Sequence, residues 1–389
     1  MGRQTSIRDL LFAATAALTF APSSAGAQSG NALPRPVTGF IEDVLRVGKV
    51  PGASIAVVKD DQVVMTRGYG VRELGKPDRV DAETIFDAAS LTKSFTAALV
   101  ATLVDDGKMS LDDPVRRYLP SIEFPDSYLT SHVTVRDLLA HRTGLRTTDS
   151  AWYFTNLKRP QVLDLVKHLK VDAPFRTGLI YSNIGYTVAG EAAAAAAGEP
   201  YEALITRRFL LPLGMTRSTA EFEAASAMGN VASPHGSIAG VQRVIPRETT
   251  TRRSTAPAGT VQSSARDLAI WLRFQLGDGS FQGRRIISTE QMAEMHSPHI
   301  VVPTTAAFRD AAASALLRRL WSRLADIRLP WTADVVAFRR RRRPARVHGD
   351  SSRAEGGSGG ARQLESHAAG HRWAHRVMHL RSLPRRDSA

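Results

Sequence analysis

The sequence predicts an α+β fold in which an antiparallel sheet is flanked by helices and interrupted by a helical insertion. Three observations lead to this prediction: an early pair of short β-prone runs, several helical stretches downstream of them, and a length of 389 residues. That length suits one large domain or two ordinary ones. Strands followed by a block of helices are typical of α+β architectures, so we expect a later return to strands.

The β-prone runs span residues 53–58 and 62–69. Apolar and β-branched residues fill both runs, and the polar pair Asp60-Asp61 lies between them. A polar two-residue turn between two such runs predicts a β-hairpin.

Four later stretches have helical composition and recognisable ends. Thr134 is a suitable N-cap for the second stretch, and Gly144 lies just beyond its end. The third stretch contains six consecutive alanines and stops at Gly198, and Ser263 or Ser264 begins the fourth. The predicted helices are 91–104, 133–141, 183–197 and 265–276.

The N-terminus has the layout of a bacterial signal peptide. Arg3 and Arg8 precede an apolar run at 10–21, and the small-residue triplet Ala25-Gly26-Ala27 follows it. The run is too short for an ordinary membrane span. We therefore expect cleavage near Ala27, a periplasmic or secreted protein, and no transmembrane segment after cleavage. A buried N-terminal helix is the alternative.

The net charge of +14 suggests a nucleic-acid partner, but the charge is confined to one end. Residues 301–389 hold 18 arginines and 7 acidic residues, a net charge of +11, which leaves +3 for residues 1–300. Because the basic character belongs to the tail alone, we expect no nucleic-acid partner. The absence of cysteine excludes disulfides, thiolate metal sites and a cysteine nucleophile.

The first candidate for chemistry is Ser90-Leu91-Thr92-Lys93, at the start of a predicted helix. Residues three apart at a helix start lie on one face, so the Ser90 hydroxyl and the Lys93 amine are expected to meet. A serine hydroxyl becomes a nucleophile when a neighbouring base takes its proton, and a neutral amine can be that base. Alone, the tetrapeptide is a weak signal, because serine is also a common helix N-cap.

The second candidate is Tyr181-Ser182-Asn183, where an extended segment enters the alanine-rich helix. Alternate residues of an extended segment point the same way, so Tyr181 and Asn183 are expected to face one cleft. A phenol can shuttle a proton and a carboxamide can hold an amide or ester substrate. The alternatives are a packed aromatic for Tyr181 and a helix N-cap for Asn183.

With these motifs in this order, residues 39–303 resemble the serine β-lactamase and penicillin-binding-protein-like family, in its class C-like branch of β-lactamases, D,D-peptidases and esterases. Besides the two motifs above, the resemblance rests on segments 50–53 (VPGA), 111–115 (LDDPV), 137–145 (DLLAHRTGL), 257–259 (PAG) and 263–267 (SSARD).

The resemblance implies a β-lactamase/transpeptidase-like fold and a serine hydrolase acting on amide, β-lactam or ester bonds. It implies that Ser90 is the acylated nucleophile, that Lys93 and Tyr181 share the acid and base roles, and that Asn183 binds the substrate. The substrate would be a small molecule or a peptide, and we expect neither a cofactor nor a metal ion.

The family's third motif, Lys-Thr-Gly or His-x-Gly on a late strand, is not found after Pro303. The segments 346–350 (RVHGD) and 370–372 (GHR) pair His with Gly, but neither lies in an alternating strand. We therefore expect a signal peptide at 1–27, a hydrolase domain at 28–304 that is incomplete at its C-terminus, and an arginine-rich tail at 305–389. The tail is interpreted as disordered or as an out-of-frame reading of the gene, with a genuine polyanion-binding tail as the alternative.

Loss of the third motif leaves open a second function, a catalytically inactive relative that binds peptide or peptidoglycan fragments. Two histidine features are assigned no catalytic role. His296-Ser297-Pro298-His299 is expected to form a loop rather than a zinc site, because Pro298 breaks a helix. His141 is expected to be a helix-end residue whose ring is satisfied by backbone carbonyls, not a catalytic base.

Overall fold

The computed structural model describes residues 35–146, 149–152, 155–238, 241–247 and 253–300. The predicted signal peptide and the predicted arginine-rich tail both lie outside these residues. The helices are α1 (Arg35–Val47), α2 (Thr92–Asp105), α3 (Ser127–His132), α4 (Val135–Leu139), α5 (Arg159–Asp164), α6 (Asn183–Ala197), α7 (Tyr201–Ile205), α8 (Leu211–Leu213), α9 (Ala224–Ala227), α10 (Ala256–Gly259), α11 (Ala265–Leu276) and α12 (Thr289–Met295). The strands are β1 (Gly52–Lys59), β2 (Gln62–Gly70), β3 (Phe86–Asp87), β4 (Ser218–Thr219), β5 (His235–Ile238), β6 (Val241–Val244), β7 (Gln262–Ser263), β8 (Ser280–Phe281) and β9 (Arg284–Arg285).

The predicted hairpin is confirmed. Strands β1 and β2 are antiparallel, with Gly52 opposite Gly70 and Lys59 opposite Gln62. Asp60 and Asp61 both have positive φ, 50° and 59°, as the two central residues of a type I′ turn require. Within the described residues, this pair forms a two-stranded sheet against which α11 packs.

Helix α2 is the centre of the described core. Twelve of its fourteen residues are buried, because α6, α10 and α12 all pack against it. Because neighbouring helices cover α2 on several sides, its sequence has no continuous polar face. The α+β class is confirmed by these helices together with the antiparallel strands.

Three of the four predicted helices have nearly the predicted bounds, and the other is shorter. Helix α4 begins after Thr134, which caps it reciprocally with Asp137, but it ends at Leu139 instead of at residue 141. His141 has φ = 55°, which a right-handed helix cannot accommodate. The ends of α6 and α11 are as predicted, with Gly198 in the left-handed region and Ser264 as the N-cap.

Asp137 anchors the segments on both sides of the candidate site. Its buried carboxylate accepts hydrogen bonds from Arg142 at 2.6 Å and from Arg176 at 2.8 Å. Although burial opposes the charge, the bonds from Arg176, Thr134 and Arg142 keep the pKa of Asp137 below its usual value. No helix among the described residues is both long and apolar enough to cross a membrane.

Candidate active site

Ser90 lies in a sharp turn between a strand and the central helix. Strand β3 pairs with β7, and a 3₁₀ turn, Ala89–Leu91, then carries Ser90 into α2. Ala89 has φ = 46°, a left-handed conformation that is unfavourable for a residue with a Cβ. The side chain of Asp87 accepts a hydrogen bond from the Ala89 N–H at 2.8 Å and so helps to hold this turn. The turn sets Ser90 at the positive end of α2.

Lys93 is in the first turn of α2 and is only 1% exposed. Its ammonium donates to Ser90 Oγ at 3.2 Å, to Asn183 Oδ1 at 2.6 Å and to the carbonyl oxygen of Ala258 at 2.8 Å. An ammonium has three donors and no acceptor, so each of these oxygens is a suitable partner for it. The predicted meeting of Ser90 and Lys93 is therefore present.

Tyr181, which lies just before α6, contacts the same serine. Its hydroxyl donates to Ser90 Oγ at 2.6 Å, and the Lys93 ammonium lies 4.8 Å from the centre of its ring. Ser90 Oγ therefore accepts hydrogen bonds from both groups that the sequence nominated as acid or base. A tyrosine that served only for packing would not need its hydroxyl bonded to the candidate nucleophile, whereas the Tyr181 hydroxyl is.

Asn183 is the first residue of α6 but does not cap it. The cap is Ser182, whose Oγ accepts from the Gly185 N–H at 3.0 Å, so the alternative interpretation of Asn183 as an N-cap is wrong. The Asn183 side chain is instead directed at Lys93 through Oδ1, while its Nδ2 donates to Asp149 Oδ2 at 2.7 Å. Its contact with a substrate stays a prediction.

Asp149 is a site residue that sequence reasoning missed. It begins a short 3₁₀ turn, Asp149–Ala151, in the loop region between α4 and α5. No motif surrounds it, and it is 34 residues before Asn183 in the chain. Only the tertiary fold brings its carboxylate to the carboxamide.

His141 also differs from its prediction. Its Nδ1 accepts a hydrogen bond from the Ser182 N–H at 3.1 Å, so a backbone amide, and not a carbonyl, satisfies that nitrogen. Burial, and then the charge of Lys93, lower its pKa to about 3, so the ring is neutral at pH 7. Its carbonyl oxygen accepts from the Ile180 N–H at 2.9 Å, and its ring lies 4.6 Å from that of Tyr181. His141 therefore holds the backbone on both sides of Tyr181.

Helix α10 borders the site, because the carbonyl oxygen of its Ala258 accepts a hydrogen bond from Lys93. The neighbouring carbonyl of Pro257 accepts from Thr96 Oγ1 at 2.7 Å, so α10 is attached to α2 at two points. Helix α6 approaches α10 closely at Gly190, where a Cβ would lie only 2.3 Å from the Pro257 Cβ. The absence of a side chain at Gly190 is what permits this packing.

His296 and His299 make their contacts with residues other than Ser90, Lys93 and Tyr181 in the hydrogen bonds that follow. Helix α12 ends at Met295, His296 Nε2 is 3.1 Å from Gln275 Oε1, and His299 Nε2 is 3.1 Å from the Glu294 carbonyl oxygen. Across the described ranges, no group of three or more His, Cys, Asp or Glu residues is arranged to hold a metal ion. The segments 346–350 and 370–372, which were considered for the third motif, lie outside the described residues.

Comparison with known proteins identifies the family. Residues 37–321 match the sequence profile of the Beta-lactamase family. The chain belongs to the β-lactamase family. The resemblance stated from the motifs is thereby confirmed, and the match ends within the segment predicted as a tail.

Two relatives show how much of other family members this chain covers. Protein flp of Staphylococcus aureus (strain COL) is 27% identical over 248 residues, which are 61% of this chain and 48% of that protein. Unguisins hydrolase ungD of Aspergillus violaceofuscus is 33% identical over 198 residues, which are 48% of this chain and 34% of that protein. The chain thus spans about half, or less, of the length of these relatives.

A solved structure supports the same assignment. The octameric penicillin-binding protein homologue from Pyrococcus abyssi superposes with a TM-score of 0.61 and 28% sequence identity, over 69% of this chain and 61% of that one. The fold is therefore that of β-lactamases and penicillin-binding proteins, and the chain is related to hydrolases of this family.

Proposed function

We propose that this protein is an exported serine hydrolase that forms an acyl-enzyme on Ser90 and hydrolyses amide, β-lactam or ester bonds. One observation carries the proposal: Ser90 Oγ accepts hydrogen bonds from both Tyr181, at 2.6 Å, and Lys93, at 3.2 Å. A serine joined to two proton-transfer groups, at the start of a buried helix, has the parts that nucleophilic catalysis requires.

In the acylation step, Ser90 Oγ attacks the carbonyl carbon of the substrate while its proton passes to a neighbouring base. Tyr181 and Lys93 both lie within hydrogen-bond distance, so either group in its deprotonated form can accept that proton. The assignment between them stays open, as it does in related enzymes. The bond between the carbonyl carbon and the leaving nitrogen or oxygen then breaks, and the leaving group takes up the proton.

In the deacylation step, water attacks the acyl carbon and gives up a proton to the same base. The bond to Ser90 Oγ breaks, Oγ regains a proton, and a carboxylic acid leaves. Both steps pass through a tetrahedral oxyanion, and the backbone N–H groups at the start of α2 carry the partial positive charge that stabilises an anion there.

The chemistry of the relatives supports this range of substrates. One relative is named as a hydrolase and one solved structure is a penicillin-binding protein homologue. Penicillins are β-lactams, which are strained amides, so one activated serine suits the whole range of amide, lactam and ester bonds.

Covalent labelling tests the proposal. Wild-type protein, Ser90→Ala and the control Ser226→Ala, an exposed serine on α9, are treated with a fluorescent penicillin and with a fluorophosphonate. We expect wild type and Ser226→Ala to label equally, with the modification on the peptide that contains Ser90, and Ser90→Ala not to label. Equally weak labelling of all three proteins would contradict the hydrolase and favour an inactive binding protein. Turnover of nitrocefin, a p-nitrophenyl ester and a D-amino-acid amide then identifies the bond cleaved.

Export is tested separately. Edman sequencing of protein recovered from the periplasm or medium of a bacterial host is expected to begin at Gln28, directly after the Ala25-Gly26-Ala27 triplet. Protein that keeps Met1 and stays in the cytoplasm would contradict export and leave the proposed chemistry unaffected.

A further inference from the structure

The carboxylate of Asp149 lies two hydrogen bonds away from Lys93, one of the two candidate bases. Its Oδ2 accepts from Asn183 Nδ2 at 2.7 Å, and Asn183 Oδ1 accepts from Lys93 Nζ at 2.6 Å. Lys93 in turn donates to Ser90 Oγ at 3.2 Å. These contacts form one continuous chain from a partly buried carboxylate to the proposed nucleophile.

The chemistry of the two ends gives this chain a direction. A carboxylate can only accept hydrogen bonds and an ammonium can only donate them, whereas the carboxamide of Asn183 has one group of each kind. If the carboxamide were flipped, its NH₂ would face the Lys93 ammonium and its oxygen would face the Asp149 carboxylate. Both contacts would then be repulsive, so Asp149 and Lys93 together permit one orientation.

The burial of Asn183 and Lys93 makes the orientation of the carboxamide important for the position of Lys93. Asn183 is only 7% exposed and Lys93 only 1%, so little water is present to replace a lost partner. Lys93 donates to a hydroxyl, a carboxamide oxygen and a backbone carbonyl. A displaced Asn183 would remove the shortest of these three contacts and release the ammonium from its present position.

We propose that Asp149 is a positioning residue of the proposed reaction, which acts by fixing the Asn183 carboxamide so that its oxygen holds Lys93 against Ser90. This inference rests on the proposed function, and it adds a residue that no motif of the sequence indicates. Asp149 acts through Asn183 and has no separate contact with the substrate.

The first test compares two substitutions with different chemistry. Asp149→Ala removes the acceptor, whereas Asp149→Asn keeps an oxygen of the same shape. Fluorophosphonate labelling, in which Ser90 Oγ displaces fluoride from phosphorus, gives the maximal rate of Ser90 phosphonylation and, separately, the concentration for half-saturation. We expect Asp149→Ala to lower the maximal rate about ten- to a hundredfold with unchanged half-saturation, as for loss of a bond to a charged group. Asp149→Asn should recover most of the rate, and Asp164→Asn, an exposed carboxylate on α5, should match wild type.

Three outcomes of this test would overturn the proposal. Equal losses in Asp149→Ala and Asp149→Asn would assign the effect to the charge. A raised half-saturation concentration with an unchanged maximal rate would mean that Asp149 contacts the substrate. Unchanged kinetics in both variants would mean that the contact has no role in the reaction.

A double-mutant cycle tests whether Asp149 acts through Asn183. If it does, Asp149→Ala has no further effect on the acylation rate once Asn183 is already alanine. Effects of the two substitutions that multiply would show independent action and overturn the proposal. Thermal unfolding of each variant, with a midpoint close to that of wild type, shows that the comparison is made on folded protein.

A spectroscopic measurement makes the inference independent of activity. In ¹⁵N-labelled protein, the side-chain NH₂ signals of Asn183 are identified by their absence from Asn183→Ala. We expect Asp149→Ala to shift these signals and Asp164→Asn to leave them in place. Signals that are identical in wild type and Asp149→Ala would overturn the positioning role. If wild type fails to label at Ser90, the proposed function fails, whereas this measurement still decides whether Asp149 holds Asn183.

Discussion

Replacing His141 with glycine tests how the Tyr181 segment is held. The substitution deletes the acceptor of the Ser182 N–H, a group of a residue that is only 1% exposed, and it deletes ring contacts with Tyr181 and Tyr186. A buried donor that loses its acceptor costs about 1–3 kcal/mol. The lost ring packing adds about 0.5–1.5 kcal/mol.

Two backbone effects of the glycine oppose each other. Glycine relieves the left-handed conformation at φ = 55°, a gain of about 1 kcal/mol, but it also gives the unfolded chain about 0.4–1 kcal/mol more conformational freedom. The net loss in the free energy of unfolding is therefore about 1–4.5 kcal/mol. Lys49→Gly is the matched control, because Lys49 has φ = 50° at an exposed position after α1, and we expect a change of at most about 0.5 kcal/mol there.

His141→Asn separates the hydrogen bond from the ring contacts. Asparagine tolerates the left-handed region and can present an oxygen to the Ser182 N–H, so it should lose only about 1 kcal/mol. Denaturant unfolding measures all three variants, and fluorophosphonate labelling measures the rate at which Ser90 is phosphonylated. We expect His141→Gly to slow this labelling by at least about tenfold, because the Ser182 N–H loses its acceptor and the Tyr181 ring loses a neighbour, although the backbone carbonyl that holds the Ile180 N–H stays in place. Equal destabilisation by Asn and Gly, or full stability of the Gly variant, would refute this account of His141.

Three further predictions concern the protonation of His141, the packing of Gly190 and the cap of α11. The pKa of His141 is about 3 in the folded protein and near 6.5 in the unfolded chain, so its contribution to stability is complete above pH 6.5 and declines as the pH falls toward 3, by up to about 1.4 kcal/mol per pH unit. Denaturant unfolding of His141→Asn between pH 3 and 6.5 should lack this pH dependence. Parallel curves of stability against pH for wild type and His141→Asn would contradict the assignment. Gly190→Ala should cost about 1–3 kcal/mol and slow Ser90 acylation, because its Cβ would push Pro257 and α10 away, whereas Gly178→Ala, with open space around it, should do neither. Ser264→Ala should lower the stability by about 1 kcal/mol in thermal unfolding through loss of the α11 cap, with Ser90 labelling unchanged; a change in labelling would show that α11 affects the site.

The parts of the molecule that the sequence predicted are those set by local chemistry. The hairpin followed from two β-prone runs around Asp60-Asp61, and the ends of α6 and α11 followed from Gly198 and Ser264. These signals act between residues a few positions apart, so they depend little on the rest of the chain. The contact between Ser90 and Lys93 is of the same kind.

The parts that were missed depend on distant segments. Asp149 has no local pattern, and its partner Asn183 is 34 residues away. The end of α4 was placed too late because a positive φ at His141 is imposed by its contacts with residues 180–182, and composition does not show it. Helix α1 was not predicted at all. Its sequence contains Gly39, which weakens a helical pattern, whereas Pro36 lies in the first turn, where proline is tolerated.

The candidate site is closed by contacts between residues far apart in the chain. Tyr181 and Ser90 are separated by 91 positions, and Lys93 and Ala258 by 165. Contacts of such long range form late and slowly, because the entropy of closing long loops is lost before they contribute. A covalent label on Ser90 would therefore count completely assembled molecules during refolding, while far-UV circular dichroism already registers the locally determined helices. The delay between the two signals would measure how long the chain stays helical before it becomes reactive.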